Sequence, residues 1–117
     1  MNSPNGWRID GRAKLPVSFA ESAWTDLEEI VAYWASQGEP ERGVQYAHDL
    51  PAEAIQKLTQ PEVASGGRHL TQTAYPEVQE LPVFKRMYRI LYLVNESDNV
   101  VKVLRFWYSH RDELDEL

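Results

Sequence analysis

The sequence contains no cysteine. This excludes disulfide scaffolds, cysteine-based zinc sites and thiol nucleophiles together, and it fits a reducing compartment, so a cytoplasmic location is expected. Long apolar runs are also missing. Stretches such as 90–94 fall far short of the roughly 18 residues that a membrane span needs, so no membrane partner is expected. Residues 1–14 carry Arg8, Arg12 and Lys14 but no apolar stretch of the signal-peptide kind. An excess of positive charge is absent as well: the formal net charge is −6 and the pI about 5.0, which rules out a uniformly basic nucleic-acid coat.

The familiar catalytic signatures are not there. The chain has no Gly-x-Ser-x-Gly elbow, no His-Glu-x-x-His helix and no Walker loop, and Gly66-Gly67 lacks the third glycine of a dinucleotide-binding turn. His48, His69 and His110 include no pair at metal-ligand spacing. No metal and no cofactor are expected.

What is present is a well-stocked apolar core. Four Trp, six Tyr and three Phe in 117 residues supply enough area for one compact domain over 15–117, preceded by an irregular extension at 1–14. Leu15, Val17 and Phe19 alternate as in a short strand, with Pro16 tolerable only at a strand start or edge. Ala23, Leu27, Ile30, Val31 and Trp34 then recur at helical spacing, and Gly38 marks a stop. Pro40 restarts a second helix with a stripe of Val44, Ala47, Leu50, Ala54, Ile55 and Leu58; Pro51 predicts a kink or break near Asp49-Leu50.

Residues 62–76 read as a long irregular connection. Three strands follow, over 78–84, 87–94 and 100–108, the last two joined by a hairpin loop at 95–99. The expected fold is α+β, in the order β-α-α-β-β-β, with a helical hairpin packed on a small antiparallel sheet. The hairpin can cover only one sheet face. On the central strand Tyr88, Ile90, Tyr92 and Val94 point one way and Met87, Arg89, Leu91 and Leu93 the other, so Leu91 and Leu93 are expected beside Arg89 on an exposed, partner-binding face.

Charge divides along the chain. Residues 15–62 hold nine acids against Arg42 and Lys57, whereas 63–111 hold seven Lys and Arg against four acids, and the tail is acidic again. Arg68, His69, Lys85, Arg86, Arg89, Tyr92, Tyr108, His110 and Arg111 concentrate in the C-terminal half. Guanidinium forks suit phosphates and carboxylates, and aromatic faces suit bases.

The segments Ala23–Tyr33, Leu58-Thr-Gln-Pro61 running to Gly67-Arg68, Tyr88-Arg89-Ile90-Leu91-Tyr92, and Val101-Lys-Val-Leu104 leading to Tyr108-Ser-His-Arg111-Asp112 occur in an order that resembles the RelE/ParE toxins of bacterial toxin-antitoxin, or plasmid stabilisation, systems. The resemblance spans about 15–112. It implies a hairpin on a small sheet, a neutralising antitoxin in a hetero-oligomer, and one of two activities: mRNA cleavage in the ribosome, as in RelE-like members, or inhibition of DNA gyrase, as in ParE-like members.

For a ribonuclease the candidate set is Arg68, Arg89, Tyr108, His110 and Arg111, because metal-free RNA cleavage needs cations on the phosphate and acid-base groups within reach. Against it, Glu80 and Pro82 stand where the resembling nucleases carry lysines, Tyr108 stands where many have histidine and His110 where they often have arginine. The chain also closes at Leu117 without the C-terminal tyrosine helix. The acidic balance agrees, since phosphate contacts favour a basic protein. The expectation is therefore a ParE-like toxin with no catalytic residues, contacting gyrase through Arg89, Tyr92, Tyr108, His110 and Arg111. Leu91, Leu93, Arg89 and Arg105 are expected to bind the antitoxin. A non-toxic relative that keeps antitoxin binding is the remaining alternative.

Overall fold

The computed structural model describes residues 14–70 and 77–110. Most of the 1–14 extension, the end of the 62–76 connection from 71 onward, Arg111 and the acidic tail lie outside the described residues.

Strand β1 (Val17–Phe19) leads into helices α1 (Glu21–Ser36) and α2 (Pro40–Leu58). A short helix α3 (Pro61–Ser65) and a two-residue strand β2 (Arg68–His69) follow, neither of them anticipated within the 62–76 connection. Strands β3 (Gln79–Val83), β4 (Tyr88–Asn95) and β5 (Val100–Tyr108) complete a five-stranded sheet in the order β1-β5-β4-β3-β2.

The class is α+β, as expected, but the sheet is mixed. β1 runs parallel to β5, pairing Val17 with Val101 and Phe19 with Val103, while every other pairing is antiparallel. Three consecutive strands joined by short turns must alternate, whereas β1 reaches the sheet through two helices and is free of that constraint.

Helix α1 has no side-chain cap. Its start is tied to the sheet instead, through Ser22 Oγ donating to the Leu104 carbonyl at 2.8 Å and Ala20 N–H to the Val103 carbonyl at 2.8 Å. Ala23, Leu27, Ile30 and Trp34 are buried as the helical period requires. Asp26 is buried with them.

On α2 the buried positions are Gly43, Leu50, Ala54 and Leu58, whereas Val44 and Ile55 are exposed. The seam turns toward Gly43 because the helices cross there: a Cβ at 43 would lie 2.9 Å from Trp34 Cβ and 3.1 Å from the Ile30 carbonyl oxygen. Pro51 does not break the helix, which is continuous from Pro40 to Leu58. Gly38 ends α1 with φ of 80°, the left-handed backbone that favours glycine.

Between α1–α2 and the sheet lies the main core, with Tyr88, Ile90, Tyr92, Val101, Val103 and Phe106 on the sheet side. A register shift at Leu91/Tyr92 inserts one extra residue in β5, so that Val103 and Phe106 both face the helices. The opposite sheet face is not bare. Leu91 is fully buried there with Leu70, Val78 and Trp107, and Leu93 and Leu104 pack partly buried against them. This corrects the expectation of an exposed Leu91.

Candidate functional site

Strand register sets the site on the face away from the helices. Arg68 on β2 pairs with Glu80 on β3, Glu80 with Leu91 on β4, and Arg89 lies between Pro82 and Trp107. Glu80 is therefore next to two arginines on one face. Its carboxylate accepts from Arg89 Nη1 at 3.2 Å and lies 3.3 Å from Arg68 Nε, and it is buried. The two contacts differ in weight. Arg68 is 81% exposed and its ion pair is screened by water, whereas Arg89 is 23% exposed and holds most of the interaction. Two guanidinium groups meeting at one point make a seat for an anion, and in this chain Glu80 fills it.

Tyr108 stands on the other face. It pairs with Tyr88, not with Arg89, and its ring lies 5.4 Å from that of Tyr88, 5.6 Å from Tyr33 and 5.2 Å from His110. Loss of water pushes the Tyr108 phenol pKa up, and the neighbouring Tyr33 hydroxyl adds to this. Burial does the same at Tyr88, whose hydroxyl accepts from Trp34 Nε1 at 2.9 Å. Both phenols stay protonated near neutral pH, so neither is a base.

The expected site residues thus fall into two groups. Arg68 and Arg89 share one face with Glu80, and Tyr108 and His110 gather on the other with Tyr33 and Tyr88; Arg111 lies outside the described residues. Strand alternation keeps the two groups apart.

Three expected contact residues are structural. Tyr92 is fully buried, donates its hydroxyl to the Ala64 carbonyl at 2.7 Å, and has its pKa pushed up to about 12 by burial. A Cβ at Gly67 would collide with that hydroxyl, which explains a glycine there. Arg105 donates Nε and Nη2 to Asp26 at 2.7 and 2.8 Å, and Phe106 N–H donates to the same carboxylate at 3.0 Å. Arg105 and the buried Leu91 are therefore not free for an antitoxin, while Leu93 remains partly exposed.

The match to known proteins decides the family. Residues 17–113 fit the model of the family described as ParE toxin of type II toxin-antitoxin system, parDE. The chain belongs to the ParE toxin family. Its fold is that of RelE and ParE toxins more widely. A structure titled as the chromosomal ParDE TA system from P. aeruginosa superposes with a TM-score of 0.65 at 19% identity, over 82% of this chain and 97% of the other. The isolated E. coli RelE toxin gives a TM-score of 0.55 at 18% identity, over 86% and 89%. No curated protein matches the chain.

Within this ParE-family chain, sequence reasoning missed Asp26, Tyr33 and Tyr88 as neighbours of Tyr108. The signal was present. Asp26, Ile30 and Tyr33 share one helical face, and Tyr88 alternates onto the side that the hairpin covers. Among the described residues no helix is long and apolar enough to cross a membrane, and no three His, Asp or Glu converge as a metal site would require.

Proposed function

We propose that this ParE-family protein is a toxin that inhibits DNA gyrase by binding it, without cleavage chemistry, and that a cognate antitoxin neutralises it in a hetero-oligomer. The observation that carries the reading is Glu80. Its buried carboxylate occupies the point where Arg68 and Arg89 meet, which is where a ribonuclease would need a scissile phosphate. An approaching phosphate meets a negative charge there. The partition of Tyr108 and His110 to the opposite face supports the same reading, because acid-base groups must reach the atom that the cations stabilise. A net charge of −6 is also compatible with a protein target and unfavourable for a ribosomal one.

Purified chain added to gyrase and relaxed plasmid tests this directly. Loss of ATP-dependent supercoiling is expected, with Arg89→Ala weakening the effect through the Glu80 face. Full supercoiling at a large excess of the chain would refute gyrase as the target.

A further inference from the structure

The turn between β3 and β4 carries two cations that the described chain leaves unmatched. Phe84, Lys85 and Arg86 have φ of 54°, 55° and 68°, and Met87 N–H donates to the Phe84 carbonyl at 3.0 Å, so the chain reverses in a tight left-handed turn. Its base is fixed. The Phe84 ring lies 5.8 Å from that of Tyr46 on α2, and Ser109 N–H donates to the Met87 carbonyl at 2.8 Å, which ties the end of β5 beside the turn. Lys85 and Arg86 stand at the tip, exposed and without an ion pair among the described residues. No acid occurs from 81 to 95.

We propose that the chain's own acidic segment, 111–117, folds back onto this turn, pairs its carboxylates with Lys85 and Arg86, and shields them from outside polyanions. The segment carries Asp112, Glu113, Asp115 and Glu116 against one cation, Arg111. It follows directly on Ser109 and His110, which the Met87 bond holds next to the turn. At ~3.3 Å per residue the first two acids stay within about 10 Å of His110. The other cations offer less. Arg42 is paired with Glu39, Lys57 with Glu53, Arg68 and Arg89 with Glu80, and Arg105 with Asp26. Lys102 lies eight residues back along β5 from His110, about 27 Å away, and Lys14 precedes β1 toward that same far end, where Val17 pairs with Val101. Residues 15–62 hold nine acids against two bases, so the helical hairpin repels the segment and the turn attracts it. A short tether gives such a contact an effective concentration on the order of millimolar, which compensates for the weakness of exposed ion pairs.

The proposal goes beyond the gyrase reading and does not depend on it. The test is NMR of the full chain with a nitroxide label at Leu114→Cys; the sequence has no other cysteine, and all four acids are kept. The Lys85 and Arg86 amide signals should broaden at about 0.01 M salt. The broadening should fall several-fold at about 1 M, where the reach of charge shrinks from roughly 30 Å to roughly 3 Å. Adding Lys85→Gln and Arg86→Gln should weaken it likewise at Phe84 and Met87; both positions are exposed, so an unchanged spectrum elsewhere verifies the fold. Broadening that ignores salt and both substitutions would overturn the proposal, since the tether alone would then explain it. Broadening centred on Lys102 or on the helices, or none at all, would also overturn it. The shielding is read from retention of duplex DNA on filters at low salt. Retention should rise when the four acids are changed to Asn or Gln and fall back when Lys85→Gln and Arg86→Gln are added; unaltered retention would overturn the shielding. None of these failures touches the gyrase reading, which stands or falls on supercoiling.

Discussion

Asp26 on α1 and Arg105 on β5 form a two-pronged ion pair at 2.7 and 2.8 Å, with the Asp26 side chain 3% exposed and Arg105 16% exposed. The pair fastens the helical hairpin to the sheet next to the bulge. Removing one partner leaves a buried charge unmatched, and removing Asp26 also orphans the Phe106 N–H. Asp26→Ala should therefore cost about 3–5 kcal/mol in urea denaturation. A loss below about 1 kcal/mol would mean that water reaches the pair and relieves it.

Tyr92 gives a pH dependence with a defined sign. Its folded pKa is raised from 10.0 to about 12, so between these values the unfolded chain releases a proton that the folded chain keeps. The folded state then binds more protons, and stability falls as pH rises through that window. Tyr88 and Tyr108 shift in the same direction and add to the fall. Denaturation midpoints measured from pH 9 to 12 should decline in the natural chain and decline less in Tyr92→Phe, which also loses about 1 kcal/mol at neutral pH with its bond to Ala64.

Glu80→Gln tests whether the carboxylate shields the two arginines. The substitution keeps the shape and removes the charge, so Arg68 and Arg89 become available to an outside anion. Retention of a labelled RNA oligonucleotide on filters at low salt should rise in the variant and fall steeply with added salt. Unchanged retention would show that these guanidinium groups are not poised for phosphate even when released.

The turn between β3 and β4 carries backbone strain. Phe84, Lys85 and Arg86 have φ of 54°, 55° and 68°, three successive non-glycine residues in the left-handed region. Arg86→Gly should stabilise the fold by about 0.5–1 kcal/mol, the relief of strain exceeding the added freedom of the unfolded chain. If it destabilises, the exposed Arg86 side chain makes a contact that outweighs the strain.

Much of this was legible in the sequence because periodicity reports directly on burial. Ala23, Leu27, Ile30 and Trp34 occupy the core as their spacing requires, and Tyr88 and Ile90 alternate onto the helix side. The misses have physical causes. Asp26 reads as a surface acid until a partner 79 residues away is known, and no local pattern encodes Arg105 as that partner. Val44 and Ile55 fit the α2 stripe as well as Gly43 does, but close helix crossing at a residue without a side chain turns them outward. Arg68 was read as a potential catalytic cation from its residue type. Its pairing with Glu80 follows from the strand register alone, which sequence spacing across the 62–76 connection does not reveal.

The central claim, a ParE-like toxin that binds gyrase and cleaves nothing, is met most directly by a brief induction of this chain alone in bacteria. Labelled thymidine and labelled methionine incorporation would be followed in the same culture. An early fall in thymidine incorporation with methionine incorporation intact is the expected result. An early fall in methionine incorporation, with thymidine following later, would contradict the account and make Tyr108 and His110 candidates for RNA chemistry; no effect on either would mark a relative that has kept the fold without the toxicity.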